Sequence, residues 1–119
     1  GVWVLSDRFT DPTYAYQGYG RGVSVNVISQ LEDLVQKDLR PDLTIILDVD
    51  VSLGLERAMN RGALDRIETE KIDFFENVRQ GYLTLADRDP KRYVVVDASP
   101  SLEKVQLAIE IELGKFFNE

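Results

Sequence analysis

A polar segment suited to phosphate binding follows the first apolar run of the sequence. Asp7 and Arg8 come almost directly after the apolar residues 2–5. A carboxylate can hold Mg²⁺ or its water ligands, and a guanidinium can bind a phosphate through two parallel hydrogen bonds. Adjacent Asp and Arg residues are also common as structural ion pairs, and the pair alone favours that interpretation.

The residues that follow add groups suited to a nucleobase. Thr13, Tyr16 and Gln17 supply a hydroxyl, an aromatic face and an amide within five positions. Together they can hydrogen-bond to a base and stack on it. Three glycines at alternate positions then permit a close approach of the backbone: Gly18, Gly20 and Gly22. Residues 6–22 are therefore a candidate binding segment.

The elements that must position this segment follow from the apolar pattern. Three short apolar runs, each leading to an aspartate, are typical of parallel strands covered on both faces: residues 2–5, 43–49 and 93–99. Four segments carry apolar residues at helix spacing: 27–35, 55–59, 72–85 and 102–116. The resulting order predicts an α/β protein with right-handed crossovers. Residues 6–22 and 60–68 fit neither period and are predicted to be loops, where ligands bind in such sheets.

Composition narrows the classes of function. With 44% hydrophobic and 29% charged residues, the sequence predicts a folded, soluble single domain. Without cysteine or histidine, disulfides and thiolate sites are excluded, and a metal would be a hard cation on oxygen ligands. The net charge of −7 argues against nucleic-acid binding. No apolar stretch is long enough to span a membrane, so we expect a cytosolic protein.

Four motifs occur in the order and spacing of the bacterial thymidylate kinase family: DRFTDPTYAYQGYGRG, RPDLTIILDV, GLERAMNRGALDRIE and VVVDAS. The chain resembles this family from Val2 to Phe116. The resemblance implies a parallel sheet with flanking helices, of the P-loop nucleoside monophosphate kinase type. It implies transfer of the ATP γ-phosphoryl group to thymidine monophosphate with Mg²⁺. It also implies a homodimer packed through helices.

The resemblance assigns roles within residues 6–22, hereafter the acceptor loop. Asp7 and Arg8 correspond to the family's catalytic Asp-Arg motif at the acceptor phosphate and the metal. Thr13, Tyr16 and Gln17 correspond to residues that hold the thymidine moiety. Two residues depart from the family pattern: Phe9, where tyrosine or histidine is more usual, and Tyr19, where glycine is common.

Residues 60–68 resemble the family's lid. Phosphoryl transfer depends on positioning and on positive charge around the transferring group, which a closing segment supplies. The resemblance makes Arg61 and Arg66 candidates for that charge, and Glu68 a lid carboxylate near the acceptor site and the metal. From the residues alone, the alternative is that both arginines are solvated helix ends.

Two further residues resemble the family's donor side. Arg57 resembles an arginine that contacts the adenine or phosphates of ATP, and Ser99 lies in a loop that resembles the adenine-contacting segment. Their alternatives are a surface charge within a helix for Arg57 and the cap of the last helix for Ser99. Asp48 ends a strand, and we interpret it as structural because Asp7 already fills the metal-binding part of the pattern.

The sequence contains no GxxxxGK[ST] string, the loop that cradles the donor phosphates in such kinases. We therefore expect residues 1–119 to be a partial kinase domain without the N-terminal part of the fold, and to be inactive and unstable alone. The family places its first strand between those represented by residues 2–5 and 43–49, so its absence would leave unpaired edges. Two alternatives stay open: another nucleotide kinase of this fold, and a truncated module that dimerises or binds nucleotide without turnover.

Overall fold

The computed structural model describes residues 1–60 and 69–118. The helices in these ranges are α1 (Asp11–Thr13), α2 (Val25–Gln36), α3 (Val51–Asn60), α4 (Thr69–Arg88) and α5 (Leu102–Phe117). The strands are β1 (Thr44–Asp48) and β2 (Tyr93–Asp97), and residues Tyr14–Gly20 form a π-helical segment. None of the described helices has both the length and the apolar character needed to cross a bilayer.

The two strands pair in parallel, with Thr44 opposite Tyr93 and Asp48 opposite Asp97. Both are rich in β-branched residues, which favour the extended backbone. At the carboxyl end the pairing continues, because the Ala98 amide donates a hydrogen bond of 2.7 Å to the Asp48 carbonyl oxygen. The strands predicted at 43–49 and 93–99 are thus confirmed, and α3 and α4 form the crossover between them.

Residues 2–5 form no strand, so this part of the sequence prediction is wrong. Their apolar side chains are largely exposed, from 75% for Trp3 to 99% for Leu5. A strand needs a neighbour that accepts and donates backbone hydrogen bonds, and the described residues give this segment none. Trp3 instead places its ring edge-on to Phe117, with ring centroids 4.8 Å apart.

The acceptor loop also differs from its prediction, because its centre is helical. Pro12 lies in the first turn of α1, a position where its missing N–H costs nothing. The chain then continues into the π-helical segment, which ends near Gly22 with φ of 77°. A π-helix has no 3.6-residue period, so the apolar spacing of these residues could not reveal it.

The core lies where the π-helical segment, α2 and α4 pack on the sheet. It is formed by apolar side chains from five elements: Tyr14, Ile28, Ile46, Leu85, Ala86 and Tyr93. Because Tyr14 belongs to the acceptor loop, the same packing that stabilises the fold holds this loop against α4. The four helices predicted from apolar spacing are confirmed as α2 to α5.

Two glycines allow the π-helical segment to approach α4 closely. A Cβ atom on Gly20 would lie 2.6 Å from Phe74 Cε2, and one on Gly81 would lie 2.7 Å from Tyr19 Cβ. Neither distance is compatible with a side chain at these positions. The segment therefore lies directly along α4, with Tyr19 beside Gly81 and Gly20 beside Phe74.

Candidate functional site

Asp7 and Arg8 are exposed at the start of the acceptor loop. Arg8 has a φ of 66°, which is uncommon for a residue with a side chain, and its carbonyl oxygen accepts a hydrogen bond of 2.9 Å from Ser6 Oγ. The two side chains form no ion pair with each other, which contradicts the structural alternative. Within the described residues, both side chains are exposed and neither forms an ion pair.

The predicted base-binding residues lie on the helical part of the same loop. Thr13 and Gln17 are exposed, whereas Tyr16 is half-buried between two aromatic rings of α4. Its ring centroid lies 6.0 Å from that of Phe74 and 6.3 Å from that of Tyr82. The structure thus fixes the aromatic member of the predicted set and leaves its two hydrogen-bonding members accessible.

Tyr82 connects this aromatic group with Arg8. Burial raises the pKa of Tyr82 to about 12, and the neighbouring Tyr16 acts in the same direction. The positive charge of Arg8 opposes the rise, so its guanidinium lies within electrostatic range of the Tyr82 phenol. Arg8 and Tyr16 are thus both electrostatic neighbours of Tyr82, which links the phosphate-binding and sugar-binding candidates of the acceptor loop.

Asp11, which the sequence analysis did not select, anchors the acceptor loop. It is the one charged side chain that is buried within the described residues. Arg92 Nη2 donates to both of its carboxylate oxygens, at 3.2 and 3.0 Å, and the Tyr93 hydroxyl donates to Oδ1. Burial, followed by the hydrogen bond to Asp11, raises the pKa of Tyr93. No sequence signal could have found these partners, because they lie more than 80 positions away.

The predicted donor-side residues meet at the carboxyl edge of the sheet. Arg57 donates to the Ala98 carbonyl oxygen at 2.7 Å and to that of Ser99 at 2.6 Å. Arg57 is therefore not a free surface charge. The Ser99 amide donates to Asp97 Oδ1 at 2.9 Å, and hydrogen bonds from Ser99 lower the pKa of Asp97. Ser99 does not cap α5, because Ser101 occupies the N-cap position.

A pocket of about 270 Å³ opens beside the carboxyl end of β1, between α3 and α4. Asp48 on its wall accepts two hydrogen bonds from Arg79, at 2.9 and 3.2 Å, as its predicted structural role requires. Among the predicted site residues within the described ranges, Tyr16 alone lines this pocket. Most of its other lining is apolar, so it resembles an uncovered part of the core more than a polar binding site.

Comparison with known proteins identifies the family. The family model described as thymidylate kinase matches residues 1–109. The chain belongs to the thymidylate kinase family. All the predicted site residues lie within the matched range, and so does the Asp11 contact with Arg92 and Tyr93.

Individual members of the thymidylate kinase family agree in sequence and in fold. The chain is 57% identical to a thymidylate kinase of Hahella chejuensis over 109 residues, covering 92% of this chain and 52% of that relative. It is 54% identical to one of Teredinibacter turnerae, with coverage of 98% and 57%. The crystal structure of Ehrlichia chaffeensis thymidylate kinase matches with a TM-score of 0.67 and 33% identity, over 91% of this chain and 47% of that one. The chain thus spans about half the length of these thymidylate kinases.

The lid residues expected from the thymidylate kinase resemblance, Arg61, Arg66 and Glu68, lie outside the described residues. Within the described ranges, no group of three or more acidic side chains is arranged to hold a metal ion. Asp7 therefore belongs to no such group, and it supplies one exposed carboxylate next to Arg8 in the sequence. Mg²⁺ in kinases commonly uses one or two protein carboxylates together with substrate phosphates, so this donor set fits Mg²⁺ bound together with a nucleotide.

Proposed function

We propose that the complete protein of which this chain forms part transfers the γ-phosphoryl group of ATP to thymidine monophosphate, giving thymidine diphosphate. The observation that carries the proposal is the acceptor loop of this thymidylate kinase family member. It joins an exposed Arg8 in a positive-φ conformation to Thr13, Tyr16 and Gln17 within ten residues. The residues proposed to bind phosphate and base thus lie on one segment that packs against α4.

In this proposal, Arg8 binds the acceptor phosphate and stabilises the charge that develops on it during transfer. Asp7 holds Mg²⁺ or its water ligands. The bound Mg²⁺ would neutralise negative charge on the phosphates. The absence of an ion pair between Asp7 and Arg8 supports these roles, because neither group must leave a partner within the described part of the chain before it binds.

The thymidine moiety would be recognised by the helical part of the acceptor loop. Thr13 and Gln17 hydrogen-bond the base, while Tyr16 braces the sugar. Support comes from exposure: the two polar side chains are accessible, and the tyrosine ring is restrained by Phe74 and Tyr82. A ring already fixed in place loses little conformational entropy when a ligand packs against it.

The donor nucleotide would lie near Arg57 and Ser99, which share one hydrogen-bonded turn beyond β2. We further propose that residues 60–68 form a lid, in which Arg61 and Arg66 supply catalytic charge and Glu68 binds near the metal. Residues 1–119 then constitute a partial kinase domain. Alone it would lack turnover, because the sequence has no glycine-rich loop to hold the donor phosphates.

We also propose that the complete protein is a cytosolic homodimer that packs through α2. This helix presents an apolar stripe at helix spacing to solvent: Val27, Leu31, Leu34 and Val35, which are 48 to 77% exposed. Only Ile28 of this helix is buried in the described part of the fold. A second copy related by two-fold symmetry would cover the stripe with its own counterpart.

Replacement of Gln17 by leucine tests the assignment of the acceptor site. The change leaves a group of the bound base unpaired, so thymidine monophosphate binding should weaken by about 1 to 3 kcal/mol. ATP binding should be unchanged. Isothermal titration of both nucleotides into the complete protein measures this, with Gln106→Leu on the exposed face of α5 as the matched control.

Equal losses for the two nucleotides would mean that the loop is a general scaffold, and an unchanged affinity would remove Gln17 from the site. A screen of nucleoside monophosphates as acceptors tests the substrate itself. Preferred turnover of thymidine monophosphate is expected, and preference for another monophosphate would replace the proposed activity by that of a related kinase.

A further inference from the structure

The contact between Asp11 and β2 has features of a dedicated anchor. The Asp11 side chain is only 8% exposed, and a buried carboxylate is costly unless it is hydrogen-bonded and paired with an opposite charge. Here three donated hydrogen bonds and one guanidinium satisfy it. We call this group of Asp11, Arg92 and Tyr93 the Asp11 anchor.

The Asp11 anchor is attached to the rigid part of the fold. The Arg92 carbonyl oxygen accepts a hydrogen bond of 2.8 Å from the Thr44 amide, at the start of β1. Tyr93 is the first residue of β2 and is buried in the core. The guanidinium of Arg92 also lies 4.7 Å from the centre of the Tyr93 ring, which restrains both donors. Both strand starts therefore hold the anchor in place.

On its other side, the anchor starts the helical part of the acceptor loop. Asp11 is the first residue of α1 and lies two positions before Thr13 and six before Gln17. The side chains of Thr13 and Gln17 are exposed and make no hydrogen bond within the described residues that would fix their position. Where they lie depends on how the backbone of residues 11–17 is held.

From these contacts we infer that Asp11 is a positioning residue, which sets the place of Thr13 and Gln17 by tying the acceptor loop to the start of β2. This inference rests on the proposed function. We do not assign Asp11 a contact with the nucleotide, because its carboxylate is buried and its hydrogen bonds come from Arg92 and Tyr93. We expect it to affect only the binding of the acceptor nucleotide, because the donor-side residues Arg57 and Ser99 lie at the opposite, carboxyl edge of the sheet.

The test compares Asp11→Asn with Val105→Ala in the complete protein, using steady-state kinetics with each substrate varied in turn. Val105 is buried in α5 outside the core cluster that contains Tyr14 and Tyr93, and its truncation lowers stability without removing a hydrogen bond of the Asp11 anchor. Asp11→Asn should raise KM for thymidine monophosphate about tenfold or more, since small displacements of binding groups have large effects. KM for ATP should change less than about twofold. Val105→Ala should leave both constants unchanged.

Tyr93→Phe provides a second variant, which removes one donated hydrogen bond and keeps the ring. It should raise KM for thymidine monophosphate in the same direction by a smaller factor, and it decides the question if Asp11→Asn does not fold. An unchanged KM for thymidine monophosphate in the folded variants would overturn the inference. So would an equal rise for both substrates, or the same rise in Val105→Ala. Absence of thymidine monophosphate phosphorylation in the unmodified protein would instead overturn the proposed function.

Discussion

Arg8 adopts a backbone conformation that costs free energy in the absence of a ligand. A side-chain-bearing residue with φ of 66° is strained by roughly 1 to 3 kcal/mol, and such residues concentrate at binding and catalytic sites. The conformation turns the chain between the exposed segment 2–5 and α1. Its position next to Asp7 agrees with the proposed role of both residues in phosphate transfer.

Two replacements of Arg8 test separately the effect of its charge on turnover and the effect of its backbone conformation on stability. Arg8→Ala and Arg8→Gly should each lower turnover of the complete protein by about 100-fold or more, the usual effect of removing a group that stabilises the transition state. Arg8→Gly should unfold at higher denaturant concentration than Arg8→Ala, because glycine accepts positive φ without strain. Steady-state kinetics and chemical denaturation measure the two effects. Near-normal turnover in the folded fraction would show that Arg8 is structural.

The raised pKa of Tyr82 predicts how the stability of the folded protein depends on pH in alkaline solution. Its pKa in the folded protein is about 12, above the usual 10.0, so the folded state holds the phenol proton more tightly than the unfolded state. The corresponding stabilisation is complete below about pH 10 and is lost as pH rises toward 12.

Denaturation of the complete protein at a series of pH values should therefore show a steeper loss of stability over this range than Tyr82→Phe shows. Because Arg8 lowers the pKa of Tyr82, Arg8→Ala should raise it further, which NMR titration of the ring carbon can follow. A pKa of Tyr82 that is unchanged in Arg8→Ala would contradict the proximity of the two side chains.

Between elements, the most specific packing joins the π-helical segment to α4. Gly81 faces Tyr19 at a distance that admits no Cβ atom, although glycine within a helix is unfavourable by itself. Tyr19 stands where the resemblance leads us to expect glycine. The bulk of Tyr19 and the small size of Gly81 are therefore complementary in this chain.

Gly81→Ala tests that packing. Alanine in a helix gains about 1 kcal/mol over glycine, but forcing a methyl group against Tyr19 costs about 1 to 3 kcal/mol, so a net loss of stability is expected. Gly114→Ala is the matched control in α5, where a Cβ atom meets nothing within 4 Å, and it should stabilise the protein. Denaturant unfolding of the complete protein measures both. Stabilisation by both changes would show that Tyr19 moves aside freely.

The chain is less compact than a typical single domain of the same length. Its radius of gyration is 15.8 Å, against about 13.5 Å expected for a compact domain of this size. Large apolar side chains remain exposed at the N-terminus, on α2 and on α5. A chain that spans about half the length of its relatives is expected to leave such surfaces uncovered. We therefore expect the chain alone to be less stable than the complete protein.

The proposed dimer gives a prediction at this scale. Leu31 on α2 and Leu107 on α5 are each 56% exposed, so a lysine at either site should cost the described fold little. Leu31→Lys should convert the complete protein to a monomer, because it places a charge within the apolar stripe of α2. Leu107→Lys should remain a dimer. Size-exclusion chromatography with light scattering measures the oligomeric state of both variants. If the Leu31→Lys variant is still a dimer, α2 is not part of the interface.

The sequence by itself determined what depends on residues that are near one another in the chain. Helical spacing and apolar runs predicted α2 to α5, β1 and β2, because burying one face of a helix or a strand requires apolar residues at a regular local spacing. The types and spacing of Asp7, Arg8 and Gln17 likewise indicated phosphate and base chemistry. The order of four motifs indicated the family.

Only the tertiary structure decided what depends on distant partners. Asp11 became an anchor because Arg92 and Tyr93 reach it from more than 80 positions away, and Arg57 met the turn at Ser99 from about 40 positions away. Residues 2–5 have the sequence of a strand, yet they form none, because a strand exists only when another segment completes its hydrogen bonds. The local sequence pattern shows which side chains are apolar enough to be buried. Which residues they contact is decided only when the chain folds.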